Sequence, residues 1–168
     1  MRNIIFIHGL ESSGEGFKGK LFRKILPEIL TPTFRKYTPD ISYEVLLDER
    51  MAQLNSILAE KEPWIIIGSS FGGLMGALYA LQHPNKVSRL ILLAPVLTFP
   101  KLNSKKFQPV EIEVTIFLGK KDQVIPLKPT KVRADELFSN LIFNIVDDDH
   151  MLHSAVQSID WENLIKNT

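Results

Sequence analysis

The sequence contains no cysteine. That absence excludes disulfide staples, thiolate metal sites and cysteine nucleophiles together, and it fits a reducing compartment. An excess of one charge is missing too: 20 lysines and arginines stand against 19 aspartates and glutamates, a formal net charge of +1. So balanced a chain carries no electrostatic footprint for nucleic acid. Long hydrophobic runs are also absent. The longest, Leu90 to Leu97, falls far short of a membrane span, and Ile4 to Ile7 is too short for the apolar region of a signal peptide. These absences predict a cytoplasmic chain with neither nucleic-acid nor membrane partners. The 10 prolines and 9 glycines are scattered, with no linker, repeat or low-complexity stretch, so one domain over 1–168 is expected.

What is present centres on residues 63–81. Trp64 to Ile67 is an apolar, β-branched run between Pro63 and Gly68, the pattern of a buried strand. Leu74, Ala77, Leu78 and Leu81 recur at helical spacing. Between strand and helix lies Gly68-Ser69-Ser70-Phe71-Gly72, a Gly-x-Ser-x-Gly turn. A serine at the tip of so tight a turn takes a strained backbone conformation, and a Cβ two residues to either side would clash. The helix start below it aims N–H groups at developing negative charge.

The rest of the chain alternates apolar strands with amphipathic helices. Strands are expected at 4–7, 64–67, 87–94, 112–118 and 141–146, with a short edge strand at 33–37. Helices are expected at 17–30 (kinked or split at Pro27), 43–60, 74–82, 129–139 and 152–165, with an irregular stretch at 97–111. Strands apolar on both faces imply a mostly parallel sheet of about six strands between helical layers, an α/β/α sandwich. Chemistry in such sheets gathers where strands end at their carboxyl edge. Ser70, Asp122 and His150 each follow directly on a predicted strand.

The order nucleophile, acid, base resembles the α/β-hydrolase superfamily, and the likeness covers nearly the whole chain. It is carried by His8-Gly9 after the first strand, Gly-Ser-Ser-Phe-Gly at 68–72, Gly-x-x-Asp at 119–122 before Val124-Ile125-Pro126, and Asp149-His150. Within the superfamily the chain is most similar to small bacterial esterase-like hydrolases with little or no cap, whose first loop reads His-Gly-x-x-Ser-Ser. The resemblance implies Ser70 as nucleophile, His150 as base and Asp122 as the acid that orients it. It implies an oxyanion hole from the backbone N–H groups of Leu10 and Phe71, and neither metal nor organic cofactor. The residues themselves leave rivals open. Asp147, Asp148 or Asp149 could supply the carboxylate, or else cap the last helix. His153 competes with His150, and His150-x-x-His153 beside the aspartates suggests a metal pair. His8 reads as a loop organiser.

The stretch 97–111 is too short for a helical cap domain, which points to small or exposed acyl groups. Leu97, Phe99, Leu102 and Phe107 are expected to line an apolar wall, with Leu10, Phe17, Phe71 and Met151 closing the other sides. Lys101, Lys105, Lys106, Lys120, Lys121, Lys128 and Lys131 are expected to border the cleft and draw in anions. The implied partner is a small-molecule carboxylic ester or thioester. A hydrolase-fold binding protein without turnover, and the same residues acting on amides, peptides or acyl transfer, remain open on sequence alone.

Overall fold

Five apolar segments form a parallel sheet in which chain order is also spatial order: β1 (Asn3–Ile7), β2 (Trp64–Ser69), β3 (Val87–Leu93), β4 (Glu113–Gly119) and β5 (Leu141–Val146). The computed structural model describes residues 1–166, so the last two positions of the expected 1–168 domain lie outside the described residues. Among the described residues, six α-helices flank the sheet: α1 (Phe17–Ile25), α2 (Tyr43–Leu58), α3 (Phe71–Gln82), α4 (Leu127–Leu137), α5 (His153–Ser158) and α6 (Trp161–Lys166).

Alternation along the strands sorts the helices into two layers. Ile5, Ile7, Trp64, Ile66, Leu90 and Leu92 pack on one face with residues of α2, α3 and α4. Ile4, Phe6, Ile65, Ile67, Ile91 and Leu93 pack on the other with residues of α1, α5 and α6. Phe22 and Trp161 lock the second layer, their rings meeting edge-on at 4.8 Å. Full burial of side chains this size contributes roughly 1.5–3 kcal/mol each. Among the described residues, no helix is long and apolar enough to cross a membrane.

Each departure from expectation has an identifiable physical cause. The sixth strand position is reduced to one bridge, Leu30 with Ile5, and residues 33–37 form no strand. Their polar backbone groups go to side chains instead: Phe34 N–H to His8 Nε2 at 2.9 Å, Arg35 N–H to Gln53 at 2.8 Å, and the Arg35 carbonyl to Arg50 Nε at 2.8 Å. Helix α1 stops at Ile25, short of Pro27. The last predicted helix divides at Ile159, whose ψ of 133° is extended, and Asp160 Oδ1 accepts the Asn163 N–H to start α6. Strand β5 is an edge, with Ile142 and Ile145 exposed, so the expected burial on both faces fails there.

Candidate active site

The turn between β2 and α3 confines Ser70 to φ 54°, ψ −113°, a positive φ that side chains avoid. A position of this kind costs on the order of 1–3 kcal/mol and persists only where its surroundings impose it. Here they do. The Ser70 N–H donates to the Leu93 carbonyl at 2.9 Å, and the Ser70 carbonyl accepts from Gly73, Leu74 and Val96. A Cβ at Gly68 would sit 2.5 Å from the Gly72 carbonyl oxygen, and one at Gly72 only 2.1 Å from that of Ile7. The second clash is with strand β1 rather than with the turn itself, so glycine at 72 also lets the elbow press against the sheet.

Two further loops at the carboxyl edge reach Ser70. Its Oγ lies 3.1 Å from His150 Nε2, and His150 Nδ1 lies 2.8 Å from Asp122 Oδ2. The Asp122 side chain is 1% exposed, and its other oxygen accepts the N–H groups of Val124 at 2.7 Å and Ile125 at 2.8 Å. One carboxylate thus holds its own turn and keeps an oxygen for the histidine. A carboxylate only accepts, so Nδ1 carries the proton and Nε2 offers its lone pair to the serine hydroxyl. Glycine at 119 permits the approach: a Cβ there would lie 2.3 Å from the Asp148 carbonyl oxygen, where the loop after β5 crosses the end of β4.

The rival residues are engaged elsewhere. Asp147 pairs with Lys121 at 3.0 Å and Lys120 at 3.5 Å, which hold its carboxyl below the ordinary range. Asp148 accepts the Ala155 N–H in the first turn of α5, and Asp149 accepts the Met151 N–H. His153 stacks on Phe17 with ring centres 4.0 Å apart. Among the described residues, no group of three or more His, Asp or Glu side chains could hold a metal ion.

The first loop passes directly over the elbow. A Cβ built on Gly9 would lie 3.6 Å from the Ser70 Cβ. Leu10 follows in a turn, and Phe71 opens α3, so its N–H is one that no carbonyl of that helix meets. His8 organises this loop as expected. It is fully buried, its Nε2 accepts from Phe34 N–H, and so its Nδ1 donates to the Gly9 carbonyl at 2.7 Å. Burial pushes its pKa down; the Gly9 contact opposes this, and the Arg50 charge adds to the depression.

Sequence reasoning overlooked Arg50. It is 0% exposed on α2, donating to Gly9 O at 3.2 Å and Leu10 O at 2.8 Å with its carbon 5.4 Å above the Phe71 ring. Burial lowers its pKa to about 10. The available signal was position: residue 50 lies within the apolar stripe of Leu47, Met51 and Leu54, where an unpaired charge is costly.

Two expectations about the rim need correction. Leu97 and Leu102 are fully buried and cannot line a cleft, because Arg133 ties both their carbonyls down against α4. Phe107 borders a separate hollow between α2 and α3. The cavity next to the first loop, of about 640 Å³, is instead walled by Leu10, Ser12, Ser13, Phe34, Tyr37 and Pro39. Four of the seven lysines meet carboxylates: Lys101 pairs with Asp48, Lys120 and Lys121 share Asp147, and Lys131 pairs with Asp135.

Residues 2–112 match the sequence profile of the alpha/beta hydrolase fold. The chain belongs to the alpha/beta hydrolase family. It is 32% identical over 152 residues to sn-1-specific diacylglycerol lipase ABHD11 of Mus musculus, covering 83% of this chain and 46% of that protein. It is 34% identical over 103 residues to the pimeloyl-[acyl-carrier protein] methyl ester esterase of Photobacterium profundum, covering 55% of this chain and 36% of that one. The chain therefore spans less than half the length of these curated relatives. Among solved alpha/beta hydrolase structures, Est1E from Butyrivibrio proteoclasticus superposes with a TM-score of 0.75 at 16% identity, over 99% of this chain and 90% of that one, a likeness of fold alone.

Proposed function

We propose that this chain is a serine hydrolase that cleaves carboxylic esters or thioesters of small or exposed acyl groups. The observation that carries the reading is the continuous chain of contacts from Ser70 through His150 to the buried Asp122. In this reading His150 Nε2 takes the hydroxyl proton as Ser70 Oγ bonds to the acyl carbon. Asp122 holds the imidazole's orientation and stabilises the imidazolium without accepting the proton. The carbonyl oxygen becomes an oxyanion facing the N–H groups of Leu10 and Phe71. Collapse expels the alcohol or thiol, protonated by His150, and leaves an acyl-Ser70 ester. Water, deprotonated by His150, repeats the sequence and regenerates the serine.

Support for esters comes from the relatives, named as a diacylglycerol lipase and a methyl ester esterase. The cavity beside Leu10 offers apolar walls from Phe34, Tyr37 and Pro39 for one side of such a substrate. The test is hydrolysis of a panel of short acyl esters and thioesters by the parent and by Ser70→Ala. Turnover by the parent, reduced at least about ten-thousandfold in Ser70→Ala, is the expected outcome. Equal rates in both would remove the serine from the mechanism.

A further inference from the structure

Arg50 is a buried cation that donates to three backbone carbonyls, those of Arg35, Gly9 and Leu10. Burying a guanidinium is costly, and such groups are ordinarily matched by a carboxylate. Spreading it over three carbonyls calls for a reason beyond stability. The bond geometry supplies one. The Gly9 carbonyl and the Leu10 N–H belong to one planar trans peptide, so they point in opposite directions. Whatever grips the Gly9 oxygen from one side aims the Leu10 N–H to the other. Arg50 Nη1 grips it at 3.2 Å and His8 Nδ1 at 2.7 Å, while Arg50 Nη2 fixes the next carbonyl, that of Leu10, at 2.8 Å. The planar fork holds successive carbonyls together, which a lysine ammonium cannot reproduce. The same guanidinium lies over the ring of Phe71, which bears the other candidate donor. A cation on the carbonyl end also polarises the peptide and strengthens its N–H as a donor.

We infer that Arg50 is a positioning residue of the oxyanion hole, pinning the Gly9–Leu10 peptide so that its N–H is presented to the charge that develops at Ser70. This rests on the serine-hydrolase reading above. Arg50 touches no reacting atom; it acts through Leu10 and Phe71. Removing it frees the peptide to turn, and a donor displaced by about an ångström forfeits on the order of a hundredfold in rate.

The experiment follows a fluorophosphonate probe, whose reaction needs the same hole. Ser70 Oγ bonds to phosphorus, the P–F bond breaks, fluoride leaves, and the hydroxyl proton passes to His150. The labelling rate and the final labelled fraction are measured separately for the parent, Arg50→Gln and Arg50→Lys, with kcat and KM on one short ester. Labelling about a hundredfold slower in Arg50→Gln is expected, with kcat down by a similar factor and KM within about twofold. Arg50→Lys keeps the charge without the fork and is expected to recover about tenfold of that loss. A merely structural arginine would lower the labelled fraction while leaving the rate per labelled site at the parent's value, and that result overturns the inference. Should Arg50→Gln fail to fold, the lysine variant decides: the parent's rate per site overturns the inference, and a slowing of about tenfold sustains it. A parent that does not label at Ser70 overturns the hydrolase reading first, and the inference with it.

Discussion

Arg50 and Arg89 are both buried, at opposite edges of the same sheet. Arg89 stands near the start of β3, where its Nη2 meets Glu113 at the start of β4 at 2.5 Å and its Nη1 donates to the Leu164 carbonyl of α6. It ties two strands and a helix together with a carboxylate at hand, as a structural ion pair does. Arg50 stands at the carboxyl edge, donating to the carbonyls of Gly9 and Leu10 in the loop over Ser70 and to that of Arg35. The two edges of this sheet therefore use the same side chain differently. At the amino edge a buried charge closes the fold; at the carboxyl edge it shapes backbone against which chemistry can be placed. In open parallel sheets strand ends of the second kind carry function.

That division can be broken by substitution. The largest effect should fall at the carboxyl edge: His150→Ala should lower ester turnover by roughly four to six orders of magnitude, while His153→Ala leaves most of it. Asp122→Asn should cost about ten-thousandfold, whereas Asp147→Asn, which loses only its lysine partners, stays within a few-fold. Both are read as kcat per titrated active site. At the amino edge, Arg89→Met should lower unfolding stability by about 1–3 kcal/mol in denaturant titrations while leaving kcat per site unchanged. A large kcat loss in Arg89→Met would erase the distinction between the edges.

Smaller effects sharpen it. His8 is held neutral, its pKa depressed below the ordinary 6.5. The unfolded chain therefore binds the proton more readily than the folded one, and stability is complete above about pH 6.5. It falls as pH drops from there toward the depressed value, by up to about 1.4 kcal/mol per pH unit from this one group. Unfolding midpoints for the parent and His8→Asn between pH 7 and 5 should show the steeper loss in the parent. The smallest effect concerns salt. With Lys101 and Lys131 paired and Lys120 and Lys121 sharing Asp147, matched anionic and neutral esters should differ by less than about twofold in the salt dependence of kcat/KM.

Much of this was legible in the sequence because the signals are local. Apolar runs flanked by polar residues or proline put β5 at its observed limits and β3 within a residue of them, and Gly-x-Ser-x-Gly marked the elbow. The three residues nominated from motif order are the ones the structure links in series, Ser70 to His150 and His150 to Asp122. What the sequence concealed depends on partners far along the chain. Residues 33–37 look like a strand, yet the side chains of His8, Gln53 and Arg50 take backbone groups that a ladder would need. Arg50 itself reads as one more charge on a long helix, because its acceptors lie 15 to 41 residues away. Leu97 and Leu102 look like a cleft wall until Arg133, more than 30 residues on, is seen drawing their carbonyls inward.

The central claim is that Ser70 is the nucleophile, and the most direct measurement is the site of covalent modification. The protein is treated with a fluorophosphonate, digested, and its peptides are mapped by mass spectrometry. The account predicts one adduct per molecule, on Ser70, abolished in Ser70→Ala and strongly slowed in His150→Ala. An adduct on Ser69, Ser12 or Ser13, or none at all in the folded parent, would contradict it.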